Sequence, residues 1–419
     1  MKIAIIGTGI AGLTAAYRLA PRHDITVYEA ADRIGGHTAT IDVTLDGKDF
    51  AIDTGFIVFN DWTYPNFIAL MNELDVDWRD SDMSFGVQCQ SSGLEYAGVS
   101  GRLAMYNSLF AQRRQLASPT FIKMLLHILA FNKQAIADVE ADSIPDETLQ
   151  AYLHRHRLSS AFADYYLVPM TSAIWSTSFN DMLDFPVRFM LPFMYRHGLL
   201  NVHHRPRWRT LSGGSRAYLE PMSRSFSDRI RLSTPVESIC RQAGHVTVSS
   251  NRGEEQYDHV VLACHSDQSL SMLSDPTAAE TDLLSAINYQ ANDVVLHTDT
   301  RVMPDNRRAW ASWNYYLPIE RGGLPRVTYD MNRLMGIESP HRFLVSLNDT
   351  DRIVPERILG SFEYAHPVFT RAGADAQARW STINVDRTWY CGAWWGKGFH
   401  EDGVVSALRV VDAIGQLTS

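Results

Sequence analysis

Lys2-Ile3-Ala4-Ile5-Ile6-Gly7-Thr8-Gly9-Ile10-Ala11-Gly12 is the stretch whose reading decides the fold. Lys2 to Ile6 is a short apolar run that fits a buried parallel strand. The glycine-rich turn opens a helix over about Ala11 to Leu19, stopped by Pro21, and Ile25 to Glu29 reads as the next strand. Gly7, Gly9 and Gly12 fit G-x-G-x-x-G. Gly7 permits the tight turn, Gly9 lets the backbone approach a pyrophosphate, and Gly12 lets helix and strand pack closely. Ala11 belongs to the first helical turn, whose free N–H groups and positive dipole end suit phosphates. Glu29, with Ala30 beside it, ends the second strand and can accept hydrogen bonds from adenosine ribose hydroxyls. The motif alone does not separate FAD from NAD.

Working outward, 419 residues exceed one ordinary core and predict two domains. A net charge of −9 argues against a nucleic-acid partner, which needs a basic face. The four cysteines, Cys89, Cys240, Cys264 and Cys391, include no C-x-x-C pair, so no metal is expected and a reduced, cytoplasmic protein is. The first strand leaves no room for a signal peptide, and no stretch of 18 apolar residues predicts a spanning helix. From about Leu103 to Leu200 the texture is helical, with Met and Phe at helical spacing in Thr120 to Ala135 and in the Pro-broken run Phe185 to Leu200. Val246 to Cys264 reads as a hairpin turning at Asn251-Arg252-Gly253. Val294–His297, Ala309–Tyr316, Arg326–Met331 and Phe343–Leu347 suggest an antiparallel sheet. The expected fold is α/β: a discontinuous Rossmann-like domain from 1–75, 205–265 and 370–419, and an α+β substrate domain from 76–204 and 266–369.

Glu29-Ala30-Ala31-Asp32-Arg33-Ile34-Gly35-Gly36-His37-Thr38 resembles the E-x(3)-R-x-G-G segment of the flavin amine oxidase and phytoene desaturase superfamily. The resemblance implies FAD, with Gly35 and Gly36 passing the backbone against the diphosphate and Arg33 adding a charge-assisted contact. Most amine oxidases carry Arg after the two glycines; here His37 stands there, followed by Thr38. Asp53-Thr54-Gly55-Phe56 matches a superfamily loop near the isoalloxazine ring, and Thr234-Pro235-Val236-Glu237 the segment whose valine backbone holds the adenine. Val260-Val261-Leu262-Ala263 resembles the strand leading back to the nucleotide. The end of the chain, Gly392-Ala393-Trp394 and Gly398-Phe399-His400-Glu401-Asp402-Gly403-Val404, resembles the second flavin fingerprint. There a glycine turn and helix N-terminus meet the ribityl chain and stabilise the anionic reduced ring. Phrases such as Met331-Asn332-Arg333-Leu334 and Glu363-Tyr364-Ala365-His366-Pro367-Val368 narrow the resemblance further. They are similar to bacterial amine-oxidase-like proteins that accompany cyclopropane-fatty-acid-synthase-like methyltransferases and are implicated in furan fatty acid synthesis.

A flavin dehydrogenase needs a proton acceptor as well as the ring, and His400 and Glu401 are the candidates, in the segment expected beside it. Tyr315 and His297 on the substrate sheet come next, and Trp394 and Trp395 can wall the ring. His203 and His204, adjacent and near Arg205 and Arg207, read as a surface loop. The expected function is an FAD-dependent desaturase of a methylated fatty acyl chain within a phospholipid. Its alternatives are an amine oxidase acting on a small substrate and a non-catalytic flavin-binding redox protein. The expected partners are a small-molecule or lipid acyl substrate and peripheral contact with the inner face of the membrane through Thr120–Ala135, Phe185–Leu200 and Arg205 to Arg209.

Overall fold

The computed structural model describes residues 1–417. Strand β1 (Lys2–Ile6) lies between β2 (Asp24–Tyr28) and His259–Leu262, parallel to both. Ile230–Arg231 outside β2 and Thr388–Tyr390 outside His259–Leu262 complete a five-stranded parallel sheet. Both faces of β1 are covered, which is why it reads as an apolar run rather than an alternation. Ile3 and Ile5 pack with Leu13 and Ala16 of helix α1 (Ile10–Leu19) and with Val410 and Ile414 of the C-terminal helix His400–Gln416. Ala4 and Ile6 face the other way, onto Val246, Val248, Leu283 and Leu284.

A second sheet of seven strands lies apart from the first. Its order is Ile358–Val368, Asn288–His297, Leu344–Leu347, Arg326–Asp330, Trp313–Leu317, Phe85–Cys89 and Leu94–Gly98. Neighbours are antiparallel except Trp313–Leu317 with Phe85–Cys89, which run parallel. Val294, Leu296, Val327 and Val345 share one core with Met124, Phe131, Phe162, Met190 and Met194 of the helical segment. That segment includes Pro119–Glu140, whose Ser118 side chain caps the Phe121 N–H ahead of a proline at the first turn.

Three expectations change. The apolar run after Asn251 divides: Gly253–Tyr257 closes the hairpin with His245–Ser250, while His259–Leu262 leaves it to pair with β1. Helices Ser266–Met272 and Ala278–Ser285 belong with the parallel sheet, because Leu273, Leu283 and Leu284 share its core with Ala4 and Val260. The chain therefore returns to the seven-stranded sheet at Asn288, whereas the expected substrate domain resumes at 266. Phe185, Val187, Met190, Leu191, Phe193, Met194 and Leu200 are all buried, so that run is core and not a membrane face.

The glycine pattern is a packing requirement first. A Cβ on Gly12 would fall on the Gly7 carbonyl oxygen, and one on Gly403 would come within 2.7 Å of Ile10 Cγ2. Backbone cannot yield as a flexible side chain can, so Gly12→Ala is expected to cost at least about 2 kcal/mol, at the upper end of overpacking penalties. Chemical denaturation of the variant checks this; unchanged stability would mean that helix and turn separate without cost.

Candidate active site

A cavity of about 1010 Å3 runs from the β1–α1 turn into the helical segment. At the first end its wall is largely backbone: Gly7, Gly9, Gly35 and Gly36, with Ala11, Glu29, Ala30 and Val236 around them. Gly7 has φ +103, which favours glycine. Gly9 does not need to be glycine for its own backbone: φ is −63, and a Cβ there would meet nothing within 4 Å. Its lack of a side chain leaves open space for a group brought against the backbone. The first turn of α1 has no side-chain cap and no acid, so its N–H groups are available to an anion.

Glu29 is held from both sides. One carboxylate oxygen accepts the Thr8 N–H at 3.0 Å and the Thr8 hydroxyl, and the other accepts the Ala31 N–H at 2.9 Å. Lone pairs remain for ribose hydroxyls. The second glycine pair docks on the first motif: the Gly35 N–H donates to the Thr8 carbonyl at 3.1 Å, and a Cβ on Gly36 would lie 3.1 Å from Gly9 Cα. Arg33 departs from its expected diphosphate contact. Its guanidinium donates to the carbonyls of Thr38 at 3.1 Å and Gly36 at 3.0 Å, bracing its own loop away from the cavity wall.

In the middle of the cavity two loops meet. The Phe56 N–H donates to the His37 carbonyl at 2.8 Å, and a Cβ on Gly55 would collide with that oxygen. The Thr54 hydroxyl pairs with Tyr364 at 2.9 Å. His400 stacks on Phe56 with centroids 3.6 Å apart, and its Nε2 lies 3.1 Å from the Thr38 hydroxyl, which also bonds Tyr218. His37 has a buried Nε2 with no partner. Burial first, and neighbouring imidazoles next, push His37 and His400 down to about 3, so both are neutral at neutral pH.

Glu401 is not where a base is needed. It points away from the cavity and accepts the Asn66 N–H at 3.1 Å, the Asn66 side-chain amide at 2.7 Å and the Phe67 N–H at 2.8 Å. It therefore caps helix Pro65–Glu73, whose own N-cap residue, Tyr64, offers no side-chain cap. Asp402 accepts the Phe399 N–H at 2.9 Å and caps its own helix, while Gly403 and Val404 pack against α1. None of these three residues lines the cavity, whereas Gly392 does. Trp394 is on the wall too; Trp395 is buried behind it. His297 bonds Ser346 at 2.8 Å within the sheet, and Tyr315 is buried in the helical core, so neither serves as the reserve base.

Sequence reasoning assigned no role to His265, Tyr364, His366 or Lys397, all of which line the cavity. Tyr364 and His366 share a face of the strand Ile358–Val368, as alternate residues must. The His366 Nδ1 accepts from the Asn292 side-chain amide at 3.1 Å. That amide is oriented by its bond to the Gln290 carbonyl at 2.9 Å, which only a nitrogen can make, so the neutral His366 carries its proton on Nε2.

Residues 10–326 match the profile of the family described as flavin containing amine oxidoreductase. The "Putative flavin-containing monoamine oxidase AofH" of Mycobacterium tuberculosis is 22% identical over 280 residues, 66% of this chain and 59% of that protein. This chain thus spans less than two thirds of that curated relative. A 15-cis-phytoene desaturase of Synechococcus elongatus is 36% identical over 90 residues, 20% of this chain and 18% of its own. Among solved structures, the CLA-producing fatty acid isomerase from P. acnes superposes with a TM-score of 0.70 at 15% identity, covering 100% of this chain and 98% of that one. The cofactor is FAD: the family is flavin-containing, and the open space at Gly9, the uncapped helix end, the Glu29 carboxylate and the unpartnered His37 nitrogen fit its parts.

Two outcomes follow from this geometry. Gly9→Val should fold normally yet purify without yellow colour, since only the approaching pyrophosphate meets the new side chain; near-wild-type absorbance at 450 nm would show that the turn does not hold the cofactor. Glu401→Gln should retain FAD and the wild-type rate of flavin reduction while losing about 1–3 kcal/mol of stability, the cost of a buried hydrogen-bond mismatch. A large fall in the reduction rate would return Glu401 to the chemistry.

Proposed function

Given that this chain belongs to the flavin-containing amine oxidoreductase family, we propose that it is an FAD-dependent dehydrogenase that desaturates a methylated fatty acyl chain. The observation that carries this reading is the chemistry of the cavity wall beyond the cofactor end. Tyr96, Met105, Leu109, Leu125, Ile128, Met170, Ile174, Trp175 and Phe193 line it. The only carboxylate on the whole wall, among the described residues, is Glu29 at the dinucleotide end. An amine arriving as an ammonium ion would find no counter-ion there, whereas a hydrocarbon chain finds continuous apolar surface.

The far end of the cavity leads to an apolar rim. Leu103 is 75% exposed, Leu126 59% and Leu129 54%, and Leu129 is also on the cavity wall. These residues lie on helices Arg102–Leu109 and Pro119–Glu140, alongside exposed Arg102, Lys123 and Lys133. Apolar side chains ringed by cations suit the surface of an anionic bilayer. No helix among the described residues is long and apolar enough to cross one. The proposed contact is therefore peripheral, with the acyl chain passing from the lipid into the cavity between these helices.

Removing two hydrogens from adjacent carbons requires a hydride acceptor and a proton acceptor. A bound flavin supplies the first at its N5. For the second, His400 is on the wall, neutral, and joined through the Thr38 hydroxyl to Tyr218. The imidazole takes the proton at a ring nitrogen, favoured by the negative charge that hydride transfer would place beside it, and holds it until product leaves and water enters. The surrounding Phe56, Phe67 and Tyr218 rings exclude water from this step.

Anaerobic mixing tests the reading. A methylated acyl chain, offered in anionic vesicles both as the free acid and as a phospholipid, should bleach the flavin in at least one form, and small soluble amines should not. His400→Gln should keep FAD and slow bleaching by about 10²–10⁴-fold, the range for general-base assistance. Leu103→Asp with Leu126→Asp, neither of them on the cavity wall, should slow only the vesicle-delivered reaction. Rapid reduction by an amine with none by the lipid would instead make the protein an amine oxidase.

A further inference from the structure

Lys397 is on the cavity wall, half-buried, in the short loop between Trp395 and the C-terminal helix. Its Nζ stands 3.1 Å from the centroid of the Phe189 ring, and Phe189 stacks on Phe369, itself a wall residue. The aromatic face helps to hold a cation but does not neutralise it. No carboxylate among the described residues lies at ion-pair distance from Lys397. Asp402, the acid whose charge it feels, accepts the Phe399 N–H at 2.9 Å and makes no ion pair with the lysine. Arg196 contributes a like charge from the helix Val187–Arg196. Burial above all pushes the lysine down to about 8, which leaves it mostly protonated at neutral pH and short of a partner.

The rest of the wall offers no use for this charge. Glu29, the only wall carboxylate, is held at the other end by Thr8 and Ala31. Arg205, the other wall cation, is exposed at the rim and donates to the Asn201 carbonyl at 2.6 Å. The Lys397 side chain turns to Phe189 of the helical segment, away from the glycine-rich end that takes the diphosphate, so an anion that completes its site arrives with the molecule bound in the apolar part of the cavity. We infer that Lys397 receives the carboxylate of the substrate, so that the chain is bound as a free long-chain acid rather than as an ester. This rests on the acyl reading above and narrows it. An ammonium group is a compact charge with three donors, and a carboxylate delivered into an apolar cavity gives it the charge-assisted bond it lacks.

The test is a calorimetric titration of the FAD-loaded protein with oleate, oleyl alcohol and oleoyl lysophosphatidate, each below its aggregation concentration. The wild type should bind oleate roughly ten-fold or more tighter than the alcohol, as a desolvated charge pair allows. Lys397→Met should bring oleate down to the level of the alcohol, leave the alcohol unchanged and keep its FAD absorbance, while Lys397→Arg should retain the preference for the acid. Equal binding of acid and alcohol by the wild type, or an acid preference that survives in Lys397→Met, overturns the inference and leaves the acyl reading standing. Tighter binding of the lysophosphatidate than of oleate overturns the carboxylate assignment in favour of a phosphate. Binding of none of the three overturns the acyl reading, and this inference with it.

Discussion

The active site depends on how closely the backbone packs against itself around the first glycine motif. Gly12 brings α1 onto the Gly7 carbonyl, Gly36 comes to within van der Waals reach of Gly9, and Gly403 seats the C-terminal helix under Ile10. Each contact takes the place a side chain would occupy. Together they bring three segments, the last of them several hundred residues from the other two, to one end of the cavity. His37 and His400 are positioned by the same packing, since one follows Gly36 and the other precedes Gly403. A chain that relaxed any of these approaches would shift the floor of the cofactor site and the aromatic wall at once.

The groups on that wall share an electrostatic condition. His37, His366 and His400 are desolvated with no carboxylate partner, and all three stay neutral well below physiological pH. These imidazoles thereby add no charge to the cavity wall. Lys397, further along the wall, is the exception, and an isolated charge in such surroundings has long reach because little screens it.

Much of the fold was legible because its signals are local. An apolar run ending in G-x-G-x-x-G, a carboxylate at the end of the next strand, and a second glycine pair specify a strand–turn–helix whatever surrounds them. The proline at the start of Pro119–Glu140 marks that helix equally well. What escaped is non-local. Glu401 and His400 are neighbours on the first turn of one helix, about 100° apart around its axis, and nothing in the sequence says which one faces the cavity. The missed clue lay elsewhere: Tyr64 cannot cap Pro65–Glu73, so a distant carboxylate had to. The strand Ile358–Val368 was unread because Gly360 and Pro367 resemble breaks, yet it runs at the edge of its sheet, where a proline costs little. Its Tyr364 and His366 consequently went unrecognised as wall residues. The hairpin after His245 was over-extended for a similar reason: His259–Leu262 suits either sheet by composition, and its pairing with β1 is a tertiary choice.

The edge strand Thr388–Tyr390 and the helix His400–Gln416 have a bearing on how the protein is made. The parallel sheet takes its core from strands at both ends of the chain, and α1 has no complete partner until the C-terminal helix packs on it. During synthesis the glycine turn leaves the ribosome early, with nothing to close over it, while the seven-stranded sheet and the helical segment emerge and settle between the two halves. Domains usually assemble as they emerge. Here the parallel sheet and its core are completed by contacts of very long sequence separation, which form slowly. The walls of the FAD site therefore come together only once the helix His400–Gln416 has packed on α1.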